Sequence, residues 1–352
     1  MLPARGLLEA ADAAVLRSDE ARTDENIFYL LESPQTKESL FLIVKKNSKP
    51  VLLVSPLEIG NYTHRKDVIV KKLDEDMLRQ ELGKIKNKIG INFECQTAGQ
   101  LQRLKKYTRA KPVDISGYFE SARETKSQKE INKIKAACKI TIEVLGRIET
   151  LAKRCRTEKQ LAMKLEFEAR NNGAEGIAFP VIVASGSNSA IPHYNTADRK
   201  ISKGFLIVDF GVMKEGYCSD ITRTFFTGSP TVYHKHMFAT VYNAKQAATS
   251  QCFAGNSANK VHDAAETLIK KSFGQDMLHS VGHGLGMKVH DFPQSISPKS
   301  TFNLEENMCI TVEPGYYKSG FGGVRIEDDV VIGKRKCKEM TRAEKQLISL
   351  KI

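Results

Sequence analysis

No stretch of this sequence approaches twenty consecutive apolar residues, so it offers no helix that could span a bilayer. Its opening, MLPARGLLEAADAAVLRSDE, lacks a signal-peptide core because Arg5, Glu9 and Asp12 interrupt it, and a cytoplasmic protein is expected. No two cysteines stand as C-x-x-C. The seven, at 95, 138, 155, 218, 252, 309 and 337, are scattered and odd in number. That argues against a disulfide framework or a cysteine zinc site and for free thiols in a reducing compartment. No G-x-S-x-G marks a serine nucleophile. The net charge is +13, yet the densest basic runs, at 103–106 and 334–338, are short and lack interleaved aromatics for stacking on bases. A solvated basic surface is expected, with no membrane and no specific nucleic acid as partner.

What is present is an ordinary globular composition, 41% hydrophobic and 27% charged, over 352 residues, enough for two domains. Up to about residue 120, short apolar runs at 13–16, 28–31, 40–44, 51–54 and 68–70 read as strands, and 77–89 and 101–107 as helices. The alternation predicts a small α/β domain over residues 1–122. A charged stretch, ARETKSQKE, reads as a hinge. Beyond it Ile131, Ile134, Cys138, Ile142, Leu145, Ile148 and Leu151 form one helical stripe, and Thr157 to Gln160 fits a capping box opening a helix that stops at Asn171-Asn172-Gly173. Strand-like segments follow. Two further helices, 237–253 and 257–273, again precede strands at 308–313 and 323–332. Two helices followed by strands, twice, predict a pseudo-duplicated α/β (α+β) domain over 123–352 whose two sheet halves curve around a shared centre.

The stretch 207–225, IVDFGVMKEGYCSDITRTF, holds Asp209 and Asp220 and reads as a β-hairpin that brings the two carboxylates side by side. Paired carboxylates in an apolar hairpin repel and lose hydration. They call for a cation, a shared proton or an arginine partner such as Arg223. Three residues can join them: His283 in the glycine-rich HSVGHGLG, Glu313 ending the strand CITVE, and Glu327 inside GGVRIEDDVVI. Singly, each has a plain alternative: a hydrogen-bonded loop histidine, a turn cap, an ion pair with Arg325. Together they are four carboxylates and one imidazole, and two divalent cations would neutralise them. An oxygen-rich set with one nitrogen suits manganese, cobalt or iron, and less clearly zinc. Paired metals can share a water and lower its pKa towards ~7, giving hydroxide for amide hydrolysis without a protein nucleophile. His193 in AIPHYN and His290 in KVHDFP are candidates for proton transfer and oxyanion stabilisation.

Five spaced motifs, PHY (192–194), DFG…DITRT (209–224), HSVGHGLG…VHD (279–291), TVEPG (311–315) and GGVRIEDD (322–329), resemble the pita-bread metallopeptidases. That family includes methionine aminopeptidase, aminopeptidase P, prolidase and creatinase. The resemblance covers roughly 125–335. It implies a curved, mainly antiparallel sheet with a pseudo-twofold repeat, preceded by a smaller creatinase-N-like α/β domain. It also implies two divalent ions per subunit: Asp209 a terminal ligand of one, His283 and Glu313 ligands of the other, Asp220 and Glu327 bridging. His193 and His290 would act on substrate and transition state, His279 would line the substrate side, and Arg325 would orient a bridging carboxylate and the substrate. Thr222 would support the ligands, and Phe179 would help form the pocket for the imino-acid residue.

The GGVRIEDD block and the N-terminal domain look more like aminopeptidase P and prolidase than a bare methionine aminopeptidase. Creatinase-type members replace the ligands, whereas all five stand here. The implied activity is hydrolysis of Xaa-Pro bonds in small peptides with proline second, by a homodimer. Several prolidases carry an arginine after the His-acid pair; here Gln294 stands in its place. The preference between dipeptides and longer peptides therefore stays open. The alternatives are a methionine aminopeptidase-like activity and a noncatalytic binding protein of the same fold.

Overall fold

The computed structural model describes residues 6–33, 38–342, 344 and 346–352; Arg5, one of the charges interrupting the opening, lies outside them. The chain divides into two compact units, Met1–Ala122 and Arg123–Ile352. None of the helices in the described residues is long and apolar enough to cross a membrane.

The first unit runs β1 (Ala13–Ser18), α1 (Glu25–Leu31), β2 (Leu40–Lys45), β3 (Val51–Val54), β4 (Ile69–Lys72), α2 (Glu75–Leu82), β5 (Lys88–Ile91), α3 (Ala98–Leu104) and β6 (Lys111–Asp114), with α4 (Ser116–Glu124) at its end. Its single sheet has the order β4-β3-β2-β1-β5-β6. Two sequence expectations are corrected here. Residues 28–31 are helix rather than strand, because the Asp24 side chain accepts from the Asn26 N–H and starts α1 just before the apolar run. A run of four apolar residues is compatible with either state, and the cap decides. The helix expected over 77–89 stops at Leu82. Its last residues become β5, a central strand between β1 and β6, because Ile89 and Ile91 belong to the core of this sheet.

The second unit opens with α5 (Gln128–Leu145), α6 (Ile148–Ala152) and α7 (Glu158–Asn171). The apolar stripe at 131–151 is therefore two helices, interrupted at the Gly146 C-cap. There follow β7 (Gly176–Ile177), β8 (Ile182–Ser185), β9 (Gly204–Asp209), β10 (Val212–Lys214), β11 (Tyr217–Cys218) and β12 (Thr222–Thr227). Helices α8 (Val232–Ser250) and α9 (Ala258–Phe273) lead to β13 (Gly282–Gly284), β14 (Asp291–Ile296), β15 (Cys309–Val312), β16 (Gly315–Lys318), β17 (Gly322–Arg325), β18 (Asp328–Val331), β19 (Lys338–Glu339) and β20 (Ser349–Leu350). Helices followed by strands thus occur twice. The sheets β20-β12-β9-β8 and β14-β13-β15-β18-β19 are antiparallel throughout, except that β20 joins β12 in parallel.

Each half has its own apolar core. Val144, Leu161 and Leu165 of α5 and α7 pack with Leu206, Val208 and Phe210; Val241, Val261 and Ile269 of α8 and α9 pack with Ile310, Val312, Val324 and Val330. The halves are joined at the backbone where the Glu327 N–H donates to the Thr222 carbonyl at 3.1 Å.

Candidate active site

The hairpin is tighter than an unbroken pair of strands. Lys214 pairs with Tyr217 across Glu215 and Gly216, whose φ of 49° and 72° give the two-residue loop that matches strand twist. The return strand is interrupted between Cys218 and Thr222, so that Thr222, not Asp220, lies opposite Asp209. The interruption leaves Asp220 outside the ladder. Its N–H is taken by the Asp329 carboxylate at 3.0 Å, and its own carboxyl oxygen Oδ1 is buried without a hydrogen-bond partner.

His283 is held by close backbone approach. A Cβ on Gly282 would lie 2.0 Å from the Thr311 carbonyl oxygen, and one on Gly284 would lie 2.4 Å from the Phe292 carbonyl carbon. Only glycine fits on either side of this histidine. The imidazole Nδ1 stands 3.1 Å from the Gly284 carbonyl, which can only accept, so Nδ1 carries the proton and the Nε2 lone pair is free. That Nε2 lies 3.6 Å from Asp220 Oδ2 and 3.4 Å from Glu313 Oε1. Glu313 follows directly on β15 and receives the Thr311 hydroxyl at 3.4 Å. Glu327 stands in the two-residue break between β17 and β18, where the strand expected over 323–332 is interrupted, and the Thr222 hydroxyl donates to its Oε2 at 2.7 Å.

Asp220, His283 and Glu327 offer ligand atoms all within 4.8 Å of one another. Asp209 and Glu313 join them in lining one cavity of about 850 Å³, together with Phe179, His193, His279, His290, Gln294 and Arg325. Every site residue singled out in the sequence therefore faces one cavity, except Thr222, which lies behind it. The arginines fall differently from their sequence neighbours. Arg325 donates to Asp209 Oδ2 at 2.6 Å rather than pairing with Glu327, and reaches Glu327 only through the Thr222 hydroxyl, 3.0 Å from its Nε. Arg223, the possible partner of the aspartate pair, instead pairs with Asp328 at 2.7 Å.

The electrostatics show a charge deficit. Asp220 is pushed well above the usual carboxylate range by burial and then by the Glu327, Asp209, Asp329 and Glu313 charges. Glu327 is raised likewise, by burial and then by Glu313 and Asp209. Burial also raises Glu313, though His279 and Arg325 oppose it. Burial lowers His279, His283 and His290. One oxygen each of Asp209, Asp220 and Glu327 is buried with no hydrogen-bond partner. Buried carboxylate oxygens without donors are costly unless a cation meets them. An oxygen-rich cluster with one free imidazole lone pair fits a divalent metal.

Tyr317 was not legible in the sequence. Its hydroxyl accepts from Arg325 Nη1 at 2.9 Å and lies 2.9 Å from His279 Nε2. The Nδ1 of His279 faces the Ser280 carbonyl at 2.8 Å and so carries the proton, which makes Tyr317 the donor to Nε2. A chain Arg325–Tyr317–His279 therefore fixes one wall of the cavity. In the sequence Tyr317 stands just outside the TVEPG motif, two residues after Gly315.

Residues 132–334 match the model of metallopeptidase family M24, and residues 8–125 that of the creatinase/prolidase N-terminal domain. A protein named Xaa-Pro dipeptidase from Pyrococcus horikoshii is 34% identical over 328 residues, covering 92% of each chain. Among solved structures, an X-Pro aminopeptidase from Thermotoga maritima superposes with a TM-score of 0.89 at 30% identity, covering 98% of this chain and 99% of that one. The prolidase from Pyrococcus furiosus gives 0.84 at 29%, covering 95% and 97%. The chain is thus a metallo-exopeptidase and belongs to metallopeptidase family M24, with a creatinase/prolidase N-terminal domain ahead of the M24 region.

Proposed function

We propose that this enzyme hydrolyses Xaa-Pro peptide bonds, with Asp209, Asp220, His283, Glu313 and Glu327 holding two divalent ions, manganese or cobalt in preference to iron or zinc. The carrying observation is the set of buried carboxylate oxygens without donors, around a ligand cluster within 4.8 Å. Ions bound there supply the positive charge that these carboxylates need and a water of lowered pKa.

The chain's own residues do the rest. His193 and His290 border the cavity, and the ring of His290 lies 4.0 Å from that of His283, centroid to centroid. From there the two histidines stabilise the developing oxyanion and carry the proton to the leaving imino nitrogen. Phe179 forms the apolar wall for the proline ring. Arg325 is committed to Asp209, Tyr317 and the Pro192 carbonyl, so it holds ligands rather than substrate. With Gln294 on the wall, the described residues lining the cavity include no uncommitted guanidinium to clamp a dipeptide's carboxylate. Peptides longer than two residues are therefore substrates as well. The supporting similarities to an Xaa-Pro dipeptidase and an X-Pro aminopeptidase leave both lengths available.

The test is an assay of Xaa-Pro dipeptides, longer Xaa-Pro peptides and Met-Ala-type peptides with manganese, cobalt and zinc in turn. Turnover of both Xaa-Pro classes is expected. Turnover of Met-Ala-type peptides alone would replace the reading with a methionine aminopeptidase-like one. No turnover and no bound metal would make the protein a noncatalytic binder.

A further inference from the structure

Lys245 lies in the middle of α8, on the face that also buries Val241, Ala244 and Ala248. By its periodicity this is a core position, yet the residue is a lysine with 0% exposure. An ammonium so placed is tolerable only against carboxylates. It has two: its Nζ meets Asp328 Oδ2 and Glu339 Oε1. Asp328 in turn accepts from Arg223 Nη2 at 2.7 Å and from the Thr341 hydroxyl at 2.9 Å. Arg223 continues the chain of contacts through its Nη1, which donates to the carbonyls of Thr222 and Glu327. Thr222 holds the Glu327 carboxylate by its hydroxyl and the Glu327 N–H by its carbonyl. Two anions and two cations thus run from helix α8 to both backbone groups of Glu327.

We propose that Lys245 is a positioning residue for the metal centre, setting its metal affinity by anchoring Asp328 and Arg223 and so fixing where Glu327 presents its carboxylate. The inference rests on the reading of Glu327 as a metal ligand. Glu327 sits in a break between two strands, so the β-ladder does not by itself hold it. Without the ammonium, Asp328 and Glu339 lose the cation that bridges them, and the charge of Asp328 bears more strongly on Arg223. Arg223 is then drawn towards the carboxylates and away from the Glu327 carbonyl. Partners of this kind behind a metal ligand are worth about 10–100-fold in metal affinity.

The experiment uses the full chain, stripped with chelator and titrated with cobalt(II) by calorimetry at a temperature where every variant is folded, with the cobalt absorption spectrum as a second readout. Lys245→Met is expected to weaken cobalt binding by about 10-fold or more and to change the spectrum. The double variant Lys245→Met/Glu339→Gln removes one charge of each sign and is expected to recover part of that loss. Should Lys245→Met fail to fold, Lys245→Gln, which keeps a donor to Asp328, is read in its place with the same expected direction. Val261→Ala, a core truncation at α9, controls for general destabilisation and is expected to leave the cobalt affinity unchanged. Wild-type affinity in the Lys245 variants, no recovery in the double variant, or an equal loss in Val261→Ala each overturns the role of Lys245. A wild-type chain that binds no cobalt overturns the underlying reading of the site instead.

Discussion

The two units bury carboxylates on opposite terms. In the first, Glu81 is 3% exposed and surrounded by three ammonium groups, Lys84 at 2.8 Å, Lys71 at 2.9 Å and Lys45 at 3.3 Å. Burial alone would raise its pKa, but the lysines outweigh burial and hold it at about 2. In the second, Asp220 and Glu327 are as deeply buried and, among the described residues, pair directly with no lysine or arginine, and burial with mutual repulsion drives both far upward. Glu81 is a finished ion cluster. The Asp220–Glu327 group is one the protein leaves short of positive charge. The contrast separates a carboxylate kept for structure from one kept for a ligand, and it does so without reference to any motif.

The largest effect should come from deleting a carboxylate on the deficient side. Asp220→Ala or Glu327→Ala is expected to reduce peptidase activity to background and to lower bound metal, read by elemental analysis of the purified chain. Two retained metals with normal turnover would erase the distinction between the two regions. Next, His290→Ala is expected to keep the metal content and lower kcat by ~10²-fold, the scale of a positioned proton-transfer group. An unchanged kcat would assign that proton to another residue.

Smaller effects sharpen the other side. Glu81→Gln should cost about 1–3 kcal/mol in denaturant unfolding at pH 7, allowing for screening of its partly exposed lysine partners. Because the folded pKa lies below the unfolded one, the stabilisation is fully present above pH 4.5 and disappears as the pH falls towards 2, so variant and wild type should converge there. Asp24 is the reverse case within the same unit. Burial raises it from 3.8 to about 6, and its Oδ2 has no hydrogen-bond partner. Its contribution is present below pH 3.8 and lost as the pH rises through 6. Asp24→Asn, which keeps a capping oxygen for α1, should therefore stabilise by ~1 kcal/mol above pH 6, with the gain vanishing below pH 3.8. A destabilising Asp24→Asn at pH 7 would show that burial is not the governing cost.

Much of the site was readable because its carboxylates stand where apolar strands should not carry them. Asp209 ends β9, Glu313 follows β15, and Glu327 splits what reads as one strand. An acid in such a place needs a counter-charge, and five of these groups with the spacing of a known family narrow the counter-charge to metal. The misplaced elements have local causes: a cap at Asp24 that turned an apolar run into helix, and a central strand at 88–91 that borrowed the end of a helical pattern. Tyr317 and Lys245 escaped for a different reason. Tyrosine in a strand and lysine in a helix look unremarkable until their partners are known, and those partners come from other elements: His279, 38 residues from Tyr317, and Glu339, 94 residues from Lys245.

By itself the sequence determined the class of fold, the family and which side chains would be unhappy in an apolar core, since periodicity and the cost of burying charge are properties of the chain. Only the tertiary structure decided who answers each charge. It gave Arg325 to Asp209, Arg223 and Lys245 to Asp328, three lysines to Glu81, and, among the described residues, no directly paired lysine or arginine to Asp220 or Glu327. Electrostatic pairing is set by distances of a few ångströms in space, and separation along the chain carries no information about them.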